Sequence, residues 1–400
     1  MPTLVIYNPA CGDRTAAQFF SAHVLPLLHS AAIAPAAVHA TTHPGHAAAL
    51  VAAQLDADPA PLTVVLGSGD GTLHEIIEAL TNTPPAAVRA AAAFQLAFAL
   101  VPCGTANALY AALFPPAPAD DPTEYRLRSL RALLAAPAAP ARPLALALTT
   151  LVPPPRAAAP AHTAVSAVVA STALHASILA DSEALRAADP SLARFHTAAA
   201  QNITRWYAAA ATLLPLRASG AVERWDPAAR AFAPHPHSTP TAPTVDVPGP
   251  FAYFLSVVNV DRLEPAFRIA PAARAEPPRG AALDVVIVRP RRDPAVELDS
   301  DETRAAFAEK LKAVLGAAYQ DGAHLLLRYA EDGSLTTEGD GPLVVEYVRC
   351  GGWEWEPDAI DDKAHLVCAD GDIHEIPKGG KATCNAVAPK DENSGFAVYV

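Results

Sequence analysis

Apolar residues in the first third of the chain occur in short continuous runs, separated by segments with helical spacing. The runs at residues 4–7, 62–66 and 94–101 are nearly continuous, broken only by Thr63 and Gln95, and they show no alternation, a pattern typical of parallel strands that are buried on both faces. Segments predicted as helices lie between and after these runs, at residues 15–30, 45–55, 72–80, 106–113 and 120–134. This alternation predicts an open α/β sheet, in which ligands bind at the carboxyl ends of the strands.

The pattern changes after residue 137, where most apolar segments resemble strands. These predicted strands are residues 144–150, 162–171, 251–260, 283–289, 324–329 and 343–348. One amphipathic helix is predicted over residues 299–318, and residues 234–250, rich in Pro, Ser and Thr, predict a mobile loop. We therefore expect two domains, an open α/β domain over residues 1–140 and a β-rich sandwich domain over residues 141–400, whose C-terminal segment is able to pack back on the first.

Composition limits the partners that the chain can attract through its charge. The 400 residues are 51% hydrophobic and 18% charged, and the net charge of −12 gives no broad attraction to nucleic acid or to an anionic membrane. The chain opens without the features of a signal peptide, and its most apolar stretch, residues 86–101, is interrupted by Arg89 and Gln95. We expect a cytoplasmic protein with no nucleic-acid partner, whose contact with a membrane, if it makes one, is peripheral; its oligomeric state is left open.

Five cysteines are scattered along the chain. Cys11 and Cys103 lie in glycine-containing loops, and Cys350 and Cys368 lie in apolar, strand-like runs. So few cysteines, odd in number, do not form a disulfide framework. They are interpreted as buried, reduced thiols.

Residues 67–72, with the sequence Gly-Ser-Gly-Asp-Gly-Thr, follow a buried strand and are called here the first glycine loop. Alternate glycines let a backbone approach a phosphate closely, and the following helix points its free amides at the same place. Asp70 would repel a phosphate, so its presence favours contact with a metal ion or removal of a proton from an attacking hydroxyl. The alternative is a plain turn in which Thr72 caps the helix and Glu75 closes a capping box.

Residues 102–107, with the sequence Pro-Cys-Gly-Thr-Ala-Asn, form a second glycine loop between the next buried strand and a helix. Two such loops on neighbouring strands would face one crevice, which is a geometry for holding a polyphosphate. The P-loop ending in Gly-Lys-Ser/Thr and the dinucleotide fingerprint are both absent from the sequence.

These loops, together with shorter motifs elsewhere, resemble the diacylglycerol kinase catalytic family, which includes sphingosine and ceramide kinases. An Asn-Pro loop at residues 8–12 follows the first strand, and Thr41 precedes the Gly-His-Ala of residues 45–47. Residues 181–186 and 193–195 resemble the family's Ser-Glu-x-x-Arg and Arg-Phe stretch, and residues 369–372 resemble its Asp-Gly-Glu turn. The resemblance runs in order from residue 4 to about residue 380.

The resemblance implies a fold like that of NAD kinases and diacylglycerol kinases, with ATP and Mg²⁺ as cofactors. Asp70 would receive the proton of the lipid hydroxyl, and Asp370 and Asp372 would position the metal. Arg186 and Arg194 would neutralise the triphosphate, although surface charge is an equally good interpretation of both. The implied nucleotide-binding set comprises Asn8, Pro9, Thr41, Ser68, Gly69, Gly71, Thr72, Glu75, Gly104, Thr105, Asn107, Arg186, Arg194, Asp370, Gly371 and Asp372.

Several positions depart from the family pattern. Ala106 replaces a frequent Gly, and Asp372 replaces a Glu and is one methylene shorter. Ser177 and Leu179 stand where sphingosine kinases have two acidic residues that bind the polar head of the base. Loss of both carboxylates disfavours a free sphingoid base and leaves ceramide, diacylglycerol or another neutral lipid alcohol as the acceptor.

Two other functions remain open from the sequence. A kinase of a soluble substrate, as in the NAD kinases, shares the Gly-Asp-Gly loop. In a catalytically inactive nucleotide- or lipid-binding regulator, Ala106 and Asp372 would be signs that the active site has decayed.

A pair of tryptophans, Trp353 and Trp355, has the spacing of one face of a strand and is interpreted as core, with a lipid-binding patch as the alternative.

Overall fold

The structure is a computed structural model that describes residues 2–86, 88, 95–136, 141–155, 160–186, 188–189, 193–388 and 395–400. Arg89, which interrupts the most apolar stretch of the sequence, lies outside the described residues. The chain divides into two compact units. The first unit consists of Met1–Ala145, Arg262–Pro265 and Ala388–Val400, and the second of Leu146–Asp261 and Ala266–Val387.

The first unit is built on a six-stranded sheet whose first five strands are parallel. In spatial order the strands are Ala37–Ala40, Thr3–Tyr7, Leu62–Ser68, Gln95–Pro102, Gly395–Val398 and Arg142–Pro143, the last being antiparallel. Every residue of the strand Leu62–Ser68 is buried, as its continuous apolar run predicts. The prediction of an α/β fold is confirmed.

Helices join these parallel strands. They are Ala16–Phe19, the π-helical turn Phe20–Val24, Leu25–Ser30, His46–Ala57, Asp70–Asn82, Ala108–Leu113 and Pro122–Ala135. The last begins where its sequence indicates, because the Asp121 side chain accepts hydrogen bonds from the amides of Thr123 and Glu124. Apolar residues from helix and sheet, among them Phe20, Val65 and Leu130, form one core cluster.

The second unit is rich in antiparallel strands, as predicted. One sheet has eight strands, in the order Ala231–Pro234, Glu223–Asp226, Glu346–Cys350, Leu283–Val288, Tyr253–Val257, Val169–Thr172, Leu366–Ala369 and Asp372–Glu375. Another has six, in the order Val245–Pro248, Ala209–Leu214, Gly352–Pro357, Lys381–Val387, Leu146–Val152 and His162–Ser166. A two-stranded sheet pairs Arg328–Tyr329 with Leu335–Thr336.

Trp353 and Trp355 fill the core between the two large sheets of this unit. Both side chains are fully buried, and both rings lie against Phe254 of the eight-stranded sheet. The indole nitrogen of Trp353 donates to the Ser256 hydroxyl at 3.0 Å, so its one polar group is satisfied. The interpretation of this pair as core is confirmed.

The second unit also contains helices at Ala173–Leu185, Ala193–Asn202, Ala272–Ala275 and Asp301–Ala318, and 3₁₀ turns at Pro290–Arg292, Ala323–Leu326 and Asp362–His365. The predicted helix over residues 299–318 is confirmed, and Ser300 caps it by accepting from the Thr303 amide. Among the described residues, no helix combines the length and apolar character needed to cross a membrane.

Three strand and loop predictions in this unit are wrong in part. The predicted strand over residues 162–171 is two strands, His162–Ser166 and Val169–Thr172, which belong to different sheets. Residues 324–329 begin as a 3₁₀ turn rather than a strand, because Gly322 adopts a left-handed conformation that turns the chain after the long helix. The predicted loop over residues 234–250 contains the strand Val245–Pro248, in which Val245 and Val247 are buried against the sheet. Flanking prolines conceal this alternation, and an edge strand tolerates them.

Candidate functional site

The two glycine loops and the Asn-Pro loop lie side by side at the carboxyl ends of adjacent parallel strands in the first unit. Ser68 is in register with Pro102, and the Cys103 amide donates to the Ser68 carbonyl at 3.0 Å. The Asn8 amide donates to the Gly67 carbonyl at 2.8 Å. The predicted proximity of the two glycine loops is therefore confirmed.

The loops approach each other so closely that only glycine fits at the contacts. A Cβ atom on Gly104 would lie 2.4 Å from the Cα of Gly69, and one on Gly12 would lie 2.2 Å from the Cys103 carbonyl oxygen. Both distances are shorter than any ordinary non-bonded contact. Three segments distant in sequence thus bring their backbones, rather than their side chains, to one place.

The helix after the first glycine loop begins at Asp70, two residues before Thr72. The interpretation of Thr72 and Glu75 as a capping box is therefore wrong. The Thr72 hydroxyl instead accepts from the Asn8 side-chain amide at 3.2 Å, and the Glu75 carboxylate accepts from the backbone amide of Gly45 at 3.0 Å. Both side chains connect the helix to neighbouring loops.

The start of this helix can receive an anion. No side chain among the described residues caps this helix, so its first backbone amides do not donate to a capping side chain. Gly71 is exposed, and a Cβ atom there would meet nothing within 4 Å, so there is space beside these amides. Free amides and the positive end of a 13-residue helix together favour a phosphate group.

Asp70 is half-buried, and both of its carboxylate oxygens accept backbone hydrogen bonds. The Ala108 amide donates to one oxygen at 2.7 Å, and the Leu109 amide donates to the other at 3.2 Å. Asp70 therefore caps the helix that follows the second glycine loop, which the sequence alone does not indicate.

Asn107 closes the second glycine loop on itself. Its side-chain oxygen accepts from the Gly104 amide at 2.9 Å, and its side-chain nitrogen donates to the Gly104 carbonyl at 2.7 Å. Asn107 also adopts the left-handed conformation, with φ of 50°, whereas Ala106 does not have a positive φ. The alanine at position 106 therefore causes no backbone strain, because Ala106 itself does not adopt the left-handed conformation. The left-handed residue of this loop is Asn107, and asparagine tolerates that conformation.

The remaining predicted residues of the first unit surround the same loops. Thr41 is buried, and its amide donates to the Tyr7 carbonyl at 2.9 Å. Ser68 is buried and donates its hydroxyl proton to the carbonyl of Gly69 at 2.9 Å. Pro9 is half-buried, and Thr105 is exposed.

The turn at residues 369–372 belongs to the second unit. Asp370 is held by three backbone amides, those of Ala167, Val168 and Val169, at 2.6 to 2.9 Å from its oxygens. Three such bonds leave little of this carboxylate for a metal ion. Gly371, with φ of 110°, completes the turn, and the Asp372 side chain is exposed, so it is the better candidate ligand.

The two predicted phosphate-binding arginines differ in their surroundings. Arg186 is exposed and pairs with Glu183 at 3.0 Å across one helical turn, which agrees with the surface-charge interpretation. Arg194 is 9% exposed, and its guanidinium lies 4.4 Å from the centre of the Phe195 ring, so it is not a surface charge.

The predicted substrate residues lie on the helix Ala173–Leu185 of the second unit. Ser177 is completely buried, and Leu179 is half-buried. A buried serine on this helix face belongs to the packing of the unit, and only Leu179 is partly accessible to a ligand.

A cluster of Cys11, Cys103 and Arg126 accompanies the loops, and nothing in the sequence pattern singles it out. The Arg126 guanidinium donates to the Pro102 carbonyl and to the Cys103 sulfur, both at 3.1 Å. Contact with the Cys11 side chain, together with the charge of Arg126, lowers the pKa of Cys103 to about 7 although burial opposes this. The same thiol contact and burial raise the pKa of Cys11.

Comparisons with known proteins agree with this geometry. Residues 2–133 match the family model of the diacylglycerol kinase catalytic domain. A protein of Saccharomyces cerevisiae (strain ATCC 204508 / S288c), named sphingoid long chain base kinase 5, is 34% identical over 105 residues. The aligned part spans 26% of this chain and only 14% of the length of the yeast protein.

Solved structures provide a further comparison. A Bacillus anthracis str. Sterne protein, provisionally named as a diacylglycerol kinase, gives a TM-score of 0.51 at 12% identity, over 99% of this chain and 96% of that one. Yeast NADH kinase complexed with NADH gives 0.39 at 9% identity, over 100% and 84% of the chains, which is too low for an argument. The resemblance to the diacylglycerol kinase catalytic family is confirmed over residues 2–133.

Proposed function

Because residues 2–133 match the diacylglycerol kinase catalytic domain, we propose that this protein is a lipid kinase. It transfers the γ-phosphoryl group of ATP, in the presence of Mg²⁺, to the hydroxyl of a lipid alcohol. The observation that carries this proposal is the backbone contact between Gly69 and Gly104, beside the uncapped start of the Asp70–Asn82 helix. The second unit would receive the lipid, and the protein would meet it as a peripheral protein at a membrane.

The residues of the first unit fit a nucleotide triphosphate. The first amides of the Asp70–Asn82 helix are uncapped, and the glycines beside them leave the backbone bare, so phosphate oxygens can approach the amides. In the proposed complex the two glycine loops bind the phosphates, while Asn8 and Glu75 hold the loops in place through Thr72 and Gly45.

Asp70 is the proposed acceptor of the lipid hydroxyl proton. Its hydrogen bonds to Ala108 and Leu109 fix the carboxylate in one orientation, which favours a group that must meet a reacting atom. A bound Mg²⁺ ion would neutralise the charge that develops on the phosphate oxygens. Asp372, with an exposed carboxylate, is the proposed metal-positioning residue, and Asp370 supports it through the turn.

The acceptor is proposed to be a neutral lipid such as ceramide or diacylglycerol, rather than a sphingoid base. Leu179, the partly accessible one of the two implied headgroup positions, carries no charge, and neither does the buried Ser177, so neither position offers a carboxylate to pair with an ammonium group. A kinase of NAD and an inactive regulator remain the alternatives, and no contact described in the first unit favours either of them over lipid phosphorylation.

The proposal is tested by incubating the full chain with γ-labelled ATP, Mg²⁺ and mixed micelles that contain ceramide, diacylglycerol or sphingosine, with NAD in a separate reaction. We expect label on a neutral lipid and none on NAD. If NAD alone becomes labelled, the lipid kinase proposal is wrong and the NAD kinase alternative is supported. ATP binding without transfer to any acceptor would indicate the regulator.

A further inference from the structure

Cys11 and Cys103 bring two thiols together at the edge of the glycine loops. Cys11 lies in the Asn-Pro loop and Cys103 in the second glycine loop, 92 positions apart, yet Cys11 packs against the core cluster that contains Cys103. The backbones also touch, since a Cβ atom on Gly12 would lie 2.2 Å from the Cys103 carbonyl oxygen. The fold of the first unit therefore brings the two cysteines close together.

The surroundings of the pair activate one thiol and leave the other as its partner. Arg126 donates to the Cys103 sulfur at 3.1 Å and is itself fixed over the Phe19 ring, 3.7 Å from its centre. A guanidinium in this position stabilises a thiolate, which is the reactive form of cysteine. Cys11 donates its proton to the Asn8 carbonyl at 2.9 Å and is half-buried, whereas Cys103 is buried, so a small oxidant would reach the pair from the side of Cys11.

We propose that Cys11 and Cys103 form a peroxide-reactive dithiol that closes into a disulfide between the Asn-Pro loop and the second glycine loop. The other three cysteines do not share this arrangement. Cys350, Cys368 and Cys384 are fully buried in the second unit, and burial raises the pKa of Cys350 and Cys384.

The reaction balances with hydrogen peroxide as the oxidant. The Cys103 thiolate attacks one peroxide oxygen, the O–O bond breaks, and the leaving hydroxide takes up a proton to give water and a sulfenic acid on Cys103. The Cys11 sulfur then attacks the Cys103 sulfur and releases a second water. Two thiols and one peroxide become one disulfide and two waters.

The disulfide would alter the site through the residue next to it. Forming the bond moves the Cys103 sulfur toward Cys11, and Gly104 follows Cys103 directly in the chain. Gly104 has no room to move toward Gly69, because their backbones are already in contact. If the proposed function holds, the oxidised protein binds ATP at least about tenfold more weakly, as expected for misplacement of binding groups.

The test treats the full chain with hydrogen peroxide at pH 7 and maps its cysteines by peptide mass spectrometry. We expect a Cys11–Cys103 disulfide that forms within minutes, disappears with dithiothreitol, and leaves Cys350, Cys368 and Cys384 reduced. In an Arg126→Gln variant we expect the rate to fall about tenfold, because less of Cys103 is thiolate. In Cys11→Ser, Cys103 should stop at sulfenic acid or overoxidise.

These readouts do not depend on kinase activity. Oxidation that spreads evenly over the five cysteines, or a disulfide rate equal in Arg126→Gln and the unmodified protein, would overturn the proposal. ATP binding measured before and after oxidation then tests the effect on the site separately. If the disulfide forms but ATP affinity is unchanged, the proposal of a peroxide-reactive dithiol is supported, and its proposed effect on nucleotide binding is contradicted.

Discussion

The carboxylate of Asp70 accepts a 2.7 Å hydrogen bond from the backbone amide of Ala108. This bond joins the first residue of one helix to the first residue of another, across two adjacent strands. Each helix starts at a glycine loop, so Asp70 fixes the distance between the two loops. Asp70, which the motif indicates as the proton acceptor, therefore also has a structural role. Any test of its catalytic role must separate the two.

Substitution of Asp70 by Asn separates these roles. Asparagine keeps one acceptor oxygen but presents an NH₂ group to the second backbone amide, so we expect a loss of about 1–3 kcal/mol in the free energy of unfolding. If Asp70 also receives the hydroxyl proton, phosphoryl transfer should fall below detection while ATP binding persists. Thermal denaturation, ATP binding and labelled transfer are measured on the same preparation.

Asp56→Asn is the matched control for this experiment, because Asp56 is an exposed carboxylate on another helix of the first unit. It should leave unfolding, binding and transfer unchanged. If the folded Asp70→Asn protein retains more than a few per cent of phosphoryl transfer, Asp70 is not the proton acceptor and has only its structural role.

Apolar runs predicted three parallel strands of the first unit, Thr3–Tyr7, Leu62–Ser68 and Gln95–Pro102, because strands buried on both faces need no alternation. The parallel strand Ala37–Ala40 was missed, since its residues alternate between half-buried and exposed and form no such run. The strand Gly395–Val398 could not be found in this way. It pairs with Gln95–Pro102, about 300 positions earlier. Whether such a short segment forms a strand depends on the neighbouring strand with which it pairs, and the local sequence does not reveal that neighbour. The strand Val245–Pro248 escaped prediction because prolines on both sides have the composition of a loop.

The site was predictable to the extent that it depends on local backbone. Glycines after adjacent parallel strands must meet at one edge of the sheet, and Gly69 and Gly104 do so. Contacts between side chains of different elements were not predictable, since they depend on helix packing. The Arg126 contact with Cys103 and the burial of Ser177 are examples, and both follow from the register of helices against sheets.

Substitution of Gly104 by Ala tests the contact between the glycine loops. The added Cβ atom would lie 2.4 Å from the Cα of Gly69, so one loop must shift. We expect phosphoryl transfer to fall about 100-fold, since small displacements of binding groups have effects of this size. Steady-state kinetics with varied ATP measures the change.

Gly316→Ala provides the control for adding a methyl group. Gly316 lies within the helix Asp301–Ala318, and a Cβ atom there meets nothing within 4 Å. This variant should gain about 0.5–1 kcal/mol in the free energy of unfolding and keep full activity. Equal activity in the two alanine variants would show that the loop contact has no part in catalysis.

Comparison of Arg186→Ala with Arg194→Ala distinguishes surface charge from ligand binding. The exposed pair of Arg186 and Glu183 contributes little to stability, so Arg186→Ala should unfold at the same temperature as the unmodified protein. Arg194→Ala removes a buried guanidinium from the Phe195 ring and should lose about 1–2 kcal/mol. If Arg186 binds the triphosphate, its variant raises the KM for ATP without any loss of stability. An unchanged KM would leave Arg186 as a surface residue.

Substitution of Asp370 and Asp372, each by Asn, separates support of the turn from metal binding. The side chain introduced by Asp370→Asn would offer one acceptor oxygen to the three amides of residues 167–169, so this variant should lose about 1–3 kcal/mol in the free energy of unfolding. Asp372 is exposed, and Asp372→Asn should leave stability nearly unchanged. If Asp372 positions Mg²⁺, its variant requires a higher Mg²⁺ concentration for half-maximal transfer, and excess Mg²⁺ restores part of the activity. A titration of Mg²⁺ against transfer rate, with thermal unfolding in parallel, measures both effects. A Mg²⁺ dependence that is unchanged in Asp372→Asn would assign the metal to other residues.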